Sequence, residues 1–191
     1  MITSDQKIKA FFQQKILDVD DDEIDKFLKD YSNDQVIQCL FDKLKSLSKL
    51  QYCYECSWLL GRVLGGISNK YSADTQLYSL LNTSTIVEKQ VLLNFLSGYW
   101  DNAKPNIEIV VTLAEDIAYI ITNPDELKWD RETICLGMEA VALGYLNNKQ
   151  LFHFNKDREN KLRQTLKNFM AYLSNFAPEY PAHQLLLKHF N

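Results

Sequence analysis

Cys53-Tyr54-Glu55-Cys56 sets two thiols one helical turn apart. In a thioredoxin-like site such a pair opens a helix after a strand, where one thiolate pKa falls. Here the pair lies inside an apolar helical pattern with no strand before it. A zinc site needs two further ligands at partner spacing, and of the other cysteines only Cys39 is near. Context favours two core thiols.

Asp18, Asp20 and Asp22 imitate the opening of a calcium loop. Such a loop needs Gly at its sixth position and Glu at its twelfth. Those positions hold Glu23 and Lys29, so the run Asp20-Asp21-Asp22-Glu23 reads as the acidic start of a helix. Histidine supplies most general bases. His153, His183 and His189 are the three present, and no nucleophile sits in a Gly-x-Ser-x-Gly turn. There is no paired Glu-x-x-His, no P-loop and no dinucleotide-binding glycine pattern. Glu108 and Glu115, and Glu132 and Glu139, are each seven apart, which predicts two solvated helix faces rather than a carboxylate site. Lys156, Arg158, Lys161, Arg163 and Lys167 make a basic helix. Three uses stay open for it: touching RNA or phosphates, docking on the acidic body, or standing in solvent. The expectation is a chain with no catalytic chemistry, no cofactor and no metal.

Helices must position these residues. Thr3 with Gln6, Ser32 with Gln35, and Thr85 with Glu88 form capping boxes before apolar runs. Tyr52, Cys56, Leu59, Val63 and Ile67 share one face of a helix, and Cys53, Leu60 and Leu64 a second. Two apolar faces predict a helix sandwiched between neighbours. Ile107, Val110, Val111, Ala114, Ile117, Ala118 and Ile121 follow the helical period, with Pro105 placed in the first turn. Asn123-Pro124-Asp125-Glu126 reads as a cap and first turn. Ile134, Met138, Val141 and Tyr145 predict another long helix, and Leu162, Leu166, Phe169, Met170 and Leu173 one more. Pro178 and Pro181 precede a last short helix. The total is about ten helices and no strand: an all-α fold.

At 191 residues the chain is expected to form a single domain, 1–191, large enough to need no disulfide or metal staple. Four cysteines in helical patterns fit buried thiols in a reducing cytoplasm. The start carries no basic region followed by an apolar core, so no signal peptide is expected. The most apolar stretch, 107–121, contains Glu108, Glu115 and Asp116 and is too short to span a membrane. Net charge is −4 and unevenly spread. Residues 1–48 carry −3, residues 49–146 carry −5 and residues 147–191 carry +4. An acidic body disfavours nucleic acid and favours basic protein partners.

Leu96-Ser97-Gly98-Tyr99-Trp100-Asp101-Asn102 returns 46 positions later as Ala142-Leu143-Gly144-Tyr145-Leu146-Asn147-Asn148. Val63-Leu64-Gly65-Gly66-Ile67-Ser68-Asn69 is a looser copy, 33 positions earlier. Each reads as an apolar helix that ends at Gly and enters a polar turn. Such spacings belong to helical repeats. Over residues 32–148 these helix ends and their spacing resemble HEAT or armadillo repeats, although the HEAT proline-aspartate-arginine pattern is missing. The resemblance implies stacked antiparallel helix pairs, a HEAT-like α-solenoid, with residues 149–191 as basic C-terminal helices; an irregular helical bundle is the alternative.

A small, acidic, helical chain is also similar in type to the immunity proteins of bacterial contact-dependent growth inhibition systems. That likeness implies a cytoplasmic, non-catalytic inhibitor that neutralises a basic, nuclease-type toxin. A scaffold or adaptor unrelated to toxins is the alternative. The residues expected to meet the partner are Asp20, Asp21, Asp22 and Glu23, for steering, and Tyr99, Trp100 and Asp101, as anchors at a repeat edge.

Overall fold

Thr85 opens a helix as the sequence predicts. Its side chain accepts from the Glu88 amide, and the Glu88 carboxylate accepts from the Thr85 amide at 2.8 Å. Asn106 and Asp130 open the next two in the same manner, accepting from the amides of Glu108 and Thr133. Pro105 therefore precedes a cap instead of entering the first turn. Asn123 closes a helix, its amide bonded back to Tyr119 and Ile120; the turn expected to follow it, at 125–128, lies outside the described residues.

The computed structural model describes residues 57, 58, 61, 62, 65, 74–124, 129–153 and 155–190. The acidic run at 20–23, the first two capping boxes, Cys39, and the Cys53–Cys56 pair lie outside them. Among the described residues the chain is all-helical, with no strand and seven helices: α1 (Asp74–Thr83), α2 (Ile86–Asn102), α3 (Ile107–Thr122), α4 (Arg131–Leu146), α5 (Lys149–Phe152), α6 (Lys156–Phe176) and α7 (Pro181–Phe190). Ser57, Trp58, Gly61, Arg62 and Gly65 are helical as well. No described helix is long and apolar enough to cross a membrane.

Side-chain bonds fix the directions of these helices. Gln90 donates to Asp130 (3.1 Å) at the start of α2 and α4, and Asn147 donates to Asp101 (3.2 Å) at their ends, so the two run parallel. Asn94 donates to Ser57 (3.0 Å) and Asp101 pairs with Arg62 (3.2 Å), which sets the direction from Ser57 to Arg62 parallel to α2. Arg131 with Glu179, and the Tyr145 ring with His189, do the same for α4 and α7. These make one layer. The second holds α1, α3 and α6, tied by Tyr78 to Asp116 (2.6 Å), Arg158 to Glu108, and Lys161 to Glu115 (2.8 Å). Its direction is opposite, because Gly137 of α4 faces Ile117 of α3 and Gly144 faces Val110.

The repeated segment thus lies beside its own copy. Its glycine does not end the helix: α2 continues to Asn102 and α4 to Leu146. What the glycine supplies is close approach to the preceding helix of the layer. A Cβ on Gly98 would overlap the Trp58 carbonyl oxygen, and one on Gly144 would stand 3.0 Å from the Trp100 ring. Glycine costs a helix interior about 1 kcal/mol relative to alanine, and packing here offsets it.

Candidate partner-binding face

Titratable groups outside the core fall into two sets. In the first, every charge is answered within the chain. Arg158 of α6 forms a bidentate pair with Glu108 and holds its carboxyl below the usual range. Lys161 reaches Glu115, further along α3, at 2.8 Å. The Arg163 guanidinium and Lys167 ammonium both lie 5.8 Å from the centre of the Phe190 ring. Of the three uses left open for the basic helix, α6 shows docking on acidic α3 for Arg158 and Lys161. Glu159 joins His153 (2.9 Å) and Tyr145 (3.3 Å), and the His153 bond lowers its pKa.

His183 resembles the base of a nucleophilic pair. Its Nδ1 lies 3.1 Å from the Pro178 carbonyl, which only accepts, so the neutral ring carries its proton there. Its Nε2 lies 2.8 Å from the Ser174 hydroxyl, whose one proton is also directed to the Met170 carbonyl at 2.8 Å. Catalysis also needs donors aimed at a developing oxyanion. The amides around Ser174 are spent inside α6, so the pair serves as a staple across the α6–α7 turn. Cys135 is buried, and burial pushes its thiol up to about 11, far from a reactive thiolate. Among the described residues no group of three or more His, Cys, Asp or Glu is placed to hold a metal ion.

His189 is a pH-sensitive contact. Lys149 donates to its Nδ1 at 3.0 Å, and its Nε2 is buried with no partner. Burial, then Lys149 and Arg163, hold its pKa below the ordinary 6.5. Tyr145 faces its ring from α4, and Glu159 stands behind Tyr145. Below 6.5 the unfolded chain takes a proton that the fold resists, so this contact loses stability as pH falls. The urea midpoint of the native chain is expected to drop further between about pH 7.5 and 5.5 than that of a His189→Gln variant. Equal drops would show that His189 does not couple to folding.

The second set is unanswered. Twelve of the sixteen residues of α4 are buried against neighbouring helices. The exceptions are Arg131, Glu132, Glu139 and Leu146. The last three are spaced by seven and form one stripe, the only strip of α4 left uncovered by α2, α3, α6 and α7. Glu132 is exposed. Glu139 is half-buried, and no hydrogen bond or ion pair to it occurs among the described residues. Burial alone raises its pKa. On α2 the matching strip carries Gln90 and Asp101, joined to the two ends of α4, and Asn94, joined to Ser57 on the other side. The layer therefore presents a polar, acidic face that runs across the helices.

Sequence reasoning placed the anchors elsewhere. Tyr99 and Trp100 are 1% and 0% exposed, in the last turns of α2, and the Trp100 indole donates to the buried Asp74 at 2.6 Å. They are core residues and offer a partner no surface. Their error came from ending the helix at Gly98, which turned them into loop residues. Asp101 is half-buried and shared between Arg62 and Asn147. What sequence reasoning missed is the difference between the two seven-spaced acid pairs. Glu108 and Glu115 meet the basic helix; Glu132 and Glu139 do not. The available signal was Glu139 itself, a lone acid within an otherwise apolar or small-residue run, 134–146.

Compared with known proteins, this chain matches no family model, no curated protein and no solved structure.

Proposed function

We propose that the chain is a non-catalytic binding protein whose acidic layer face takes a basic protein, and that it acts as an immunity-type inhibitor of a nuclease-like partner. The supporting observation is the pair Glu132 and Glu139 on the uncovered strip of α4, neither with an ion-pair partner among the described residues. A cationic nuclease groove is built for phosphate, and an acidic face both steers onto it and occupies it. Association of this kind is fast at low salt and slows as salt rises.

The test is affinity capture from the native organism at low and moderate salt. One stoichiometric basic protein is expected, retained less at higher salt, whose nuclease activity falls as this chain is added. A captured protein whose activity is unchanged counts against inhibition. The two layers of parallel helices favour a second reading, a HEAT-like stack that serves as a scaffold. Many partners at low stoichiometry would support it over the first.

A further inference from the structure

An ammonium only donates hydrogen bonds. The 3.0 Å contact from Lys149 Nζ to His189 Nδ1 therefore exists only while that ring nitrogen is bare. The neutral ring must then carry its proton on Nε2, which is buried and has no acceptor. A buried donor left unpaired already weakens the closed arrangement. Protonation of Nδ1 would aim an N–H at the ammonium, donor against donor and charge against like charge. The ring cannot be an imidazolium and keep this position.

No acid stands ready to receive it. The groups that face His189 are the Tyr145 ring from α4, Lys149 of α5 and Arg163 of α6, with Lys188 and Phe190 beside it on α7. Lys167 of α6 joins Arg163 over the Phe190 ring. Glu159, behind Tyr145, is already joined to His153 and to the Tyr145 hydroxyl. His189 has no ion pair with an acid among the described residues.

The earlier part of α7 is held by other means. Ala182 and Leu186 are fully buried, and His183 lies against Ser174 and the Pro178 carbonyl. Past Leu186 every side chain is half-buried or exposed. A helix end also has few backbone bonds to lose, so it opens at small cost. The weakest turn of α7 is thus the one that carries the titrating contact.

We propose that residues 187–190, the last turn of α7, form an acid-released clasp: it closes on α4 and α5 while His189 is neutral and opens when His189 takes a proton. Opening draws the imidazole away from Tyr145, whose ring meets Phe152 edge-on at 5.2 Å beneath it. The closed site resists the proton and the open turn titrates near the ordinary 6.5, so opening grows as pH falls through 6.5. The device is local. It goes beyond a loss of overall stability because a single turn leaves while the rest of α7 stays.

The test is amide hydrogen exchange on the full chain at about pH 7.5 and about pH 5.5, read as protection factors so that the intrinsic pH dependence of exchange is removed. Protection at residues 187–190 is expected to fall about threefold or more in acid, while that of Leu185 and Leu186 changes by less than about 1.5-fold. Lys149→Gln isolates the cause. Its side-chain amide donates to a bare Nδ1 and, turned over, accepts from a protonated one, so this variant is expected to hold the turn at both pH values. His183 is untouched in it, so a loss that came from His183 would persist. An equal acid loss in the native chain and Lys149→Gln overturns the clasp. So does native protection at 187–190 that stays constant, or that is already absent at the higher pH. Protection lost evenly along α7 also overturns it, because the whole helix would then open rather than its last turn.

Discussion

Replacing Trp100 with alanine is expected to cost about 3–5 kcal/mol of stability, a large share of what a domain this size possesses. The side chain is 0% exposed, and its six-membered ring packs on Gly144 of the neighbouring repeat. Truncation opens a cavity in α2 between Gly144 of α4 and Asp74 of α1, where the layers meet. It also strips the buried Asp74 carboxylate of the indole donor at 2.6 Å, while the bond from the Asn106 amide at 2.9 Å is kept. Trp100→Phe separates the two effects. It keeps most of the volume and loses the N–H, so it is expected to cost about 1–3 kcal/mol. Urea unfolding of both variants measures the difference. A loss under about 1 kcal/mol for Trp100→Ala would mean that the indole does not lie in the core. Partner affinity per folded molecule is expected to change little, because no Trp100 surface reaches solvent.

Gly98→Ala is expected to be nearly as damaging, by about 3 kcal/mol. Helix propensity alone argues the reverse, since alanine gains about 1 kcal/mol over glycine. Sterics decide the sign. The added Cβ would overlap the Trp58 carbonyl oxygen and stand 3.1 Å from the Arg62 nitrogen. Both are backbone atoms of a parallel helix, so relief requires that the helices separate. Gly137→Ala is the matched control. Its Cβ meets the end of the Ile117 side chain at 2.7 Å, which can rotate away. That variant is expected near neutral, within about 1 kcal/mol. If both glycines tolerate alanine equally, the backbone at Trp58 and Arg62 is not in contact with α2.

Those glycines also explain what the sequence made legible. Periodicity of 3.6 placed α3, α4 and α6 well, because each buries a wide apolar stripe: Val110, Val111, Ala114 and Ile117 in α3, and Leu162, Leu166, Phe169 and Leu173 in α6. The repeat was visible, and its copies do stand side by side through Asn147 and Asp101. Its meaning was misread at one residue type. Local rules take glycine after an apolar run as a helix stop. Gly98 and Gly144 are helical because a neighbouring helix excludes a side chain there, and only the packed layers reveal that. Trp100 moved from surface to core as a consequence. Charge followed a similar course. Composition showed an acidic body and a basic C-terminal segment, but not which acids meet which bases. The pairing of α6 with α3 uses Glu108 and Glu115 and leaves Glu132 and Glu139 over. That selection depends on helix order in three dimensions, which no local pattern encodes.

The central claim is that the strip of α4 carrying Glu132 and Glu139 is the face that meets a basic partner. The most direct measurement compares Glu132→Lys with Asp157→Lys in binding to the basic protein recovered by capture. Both residues are exposed acids in the first turn of a helix, so charge change and helix-end effects are matched, while Asp157 lies on α6 in the other layer. The account predicts about a tenfold or greater loss of affinity for Glu132→Lys and a change within about twofold for Asp157→Lys. Equal losses in the two variants would contradict it, because net charge rather than this face would then govern binding.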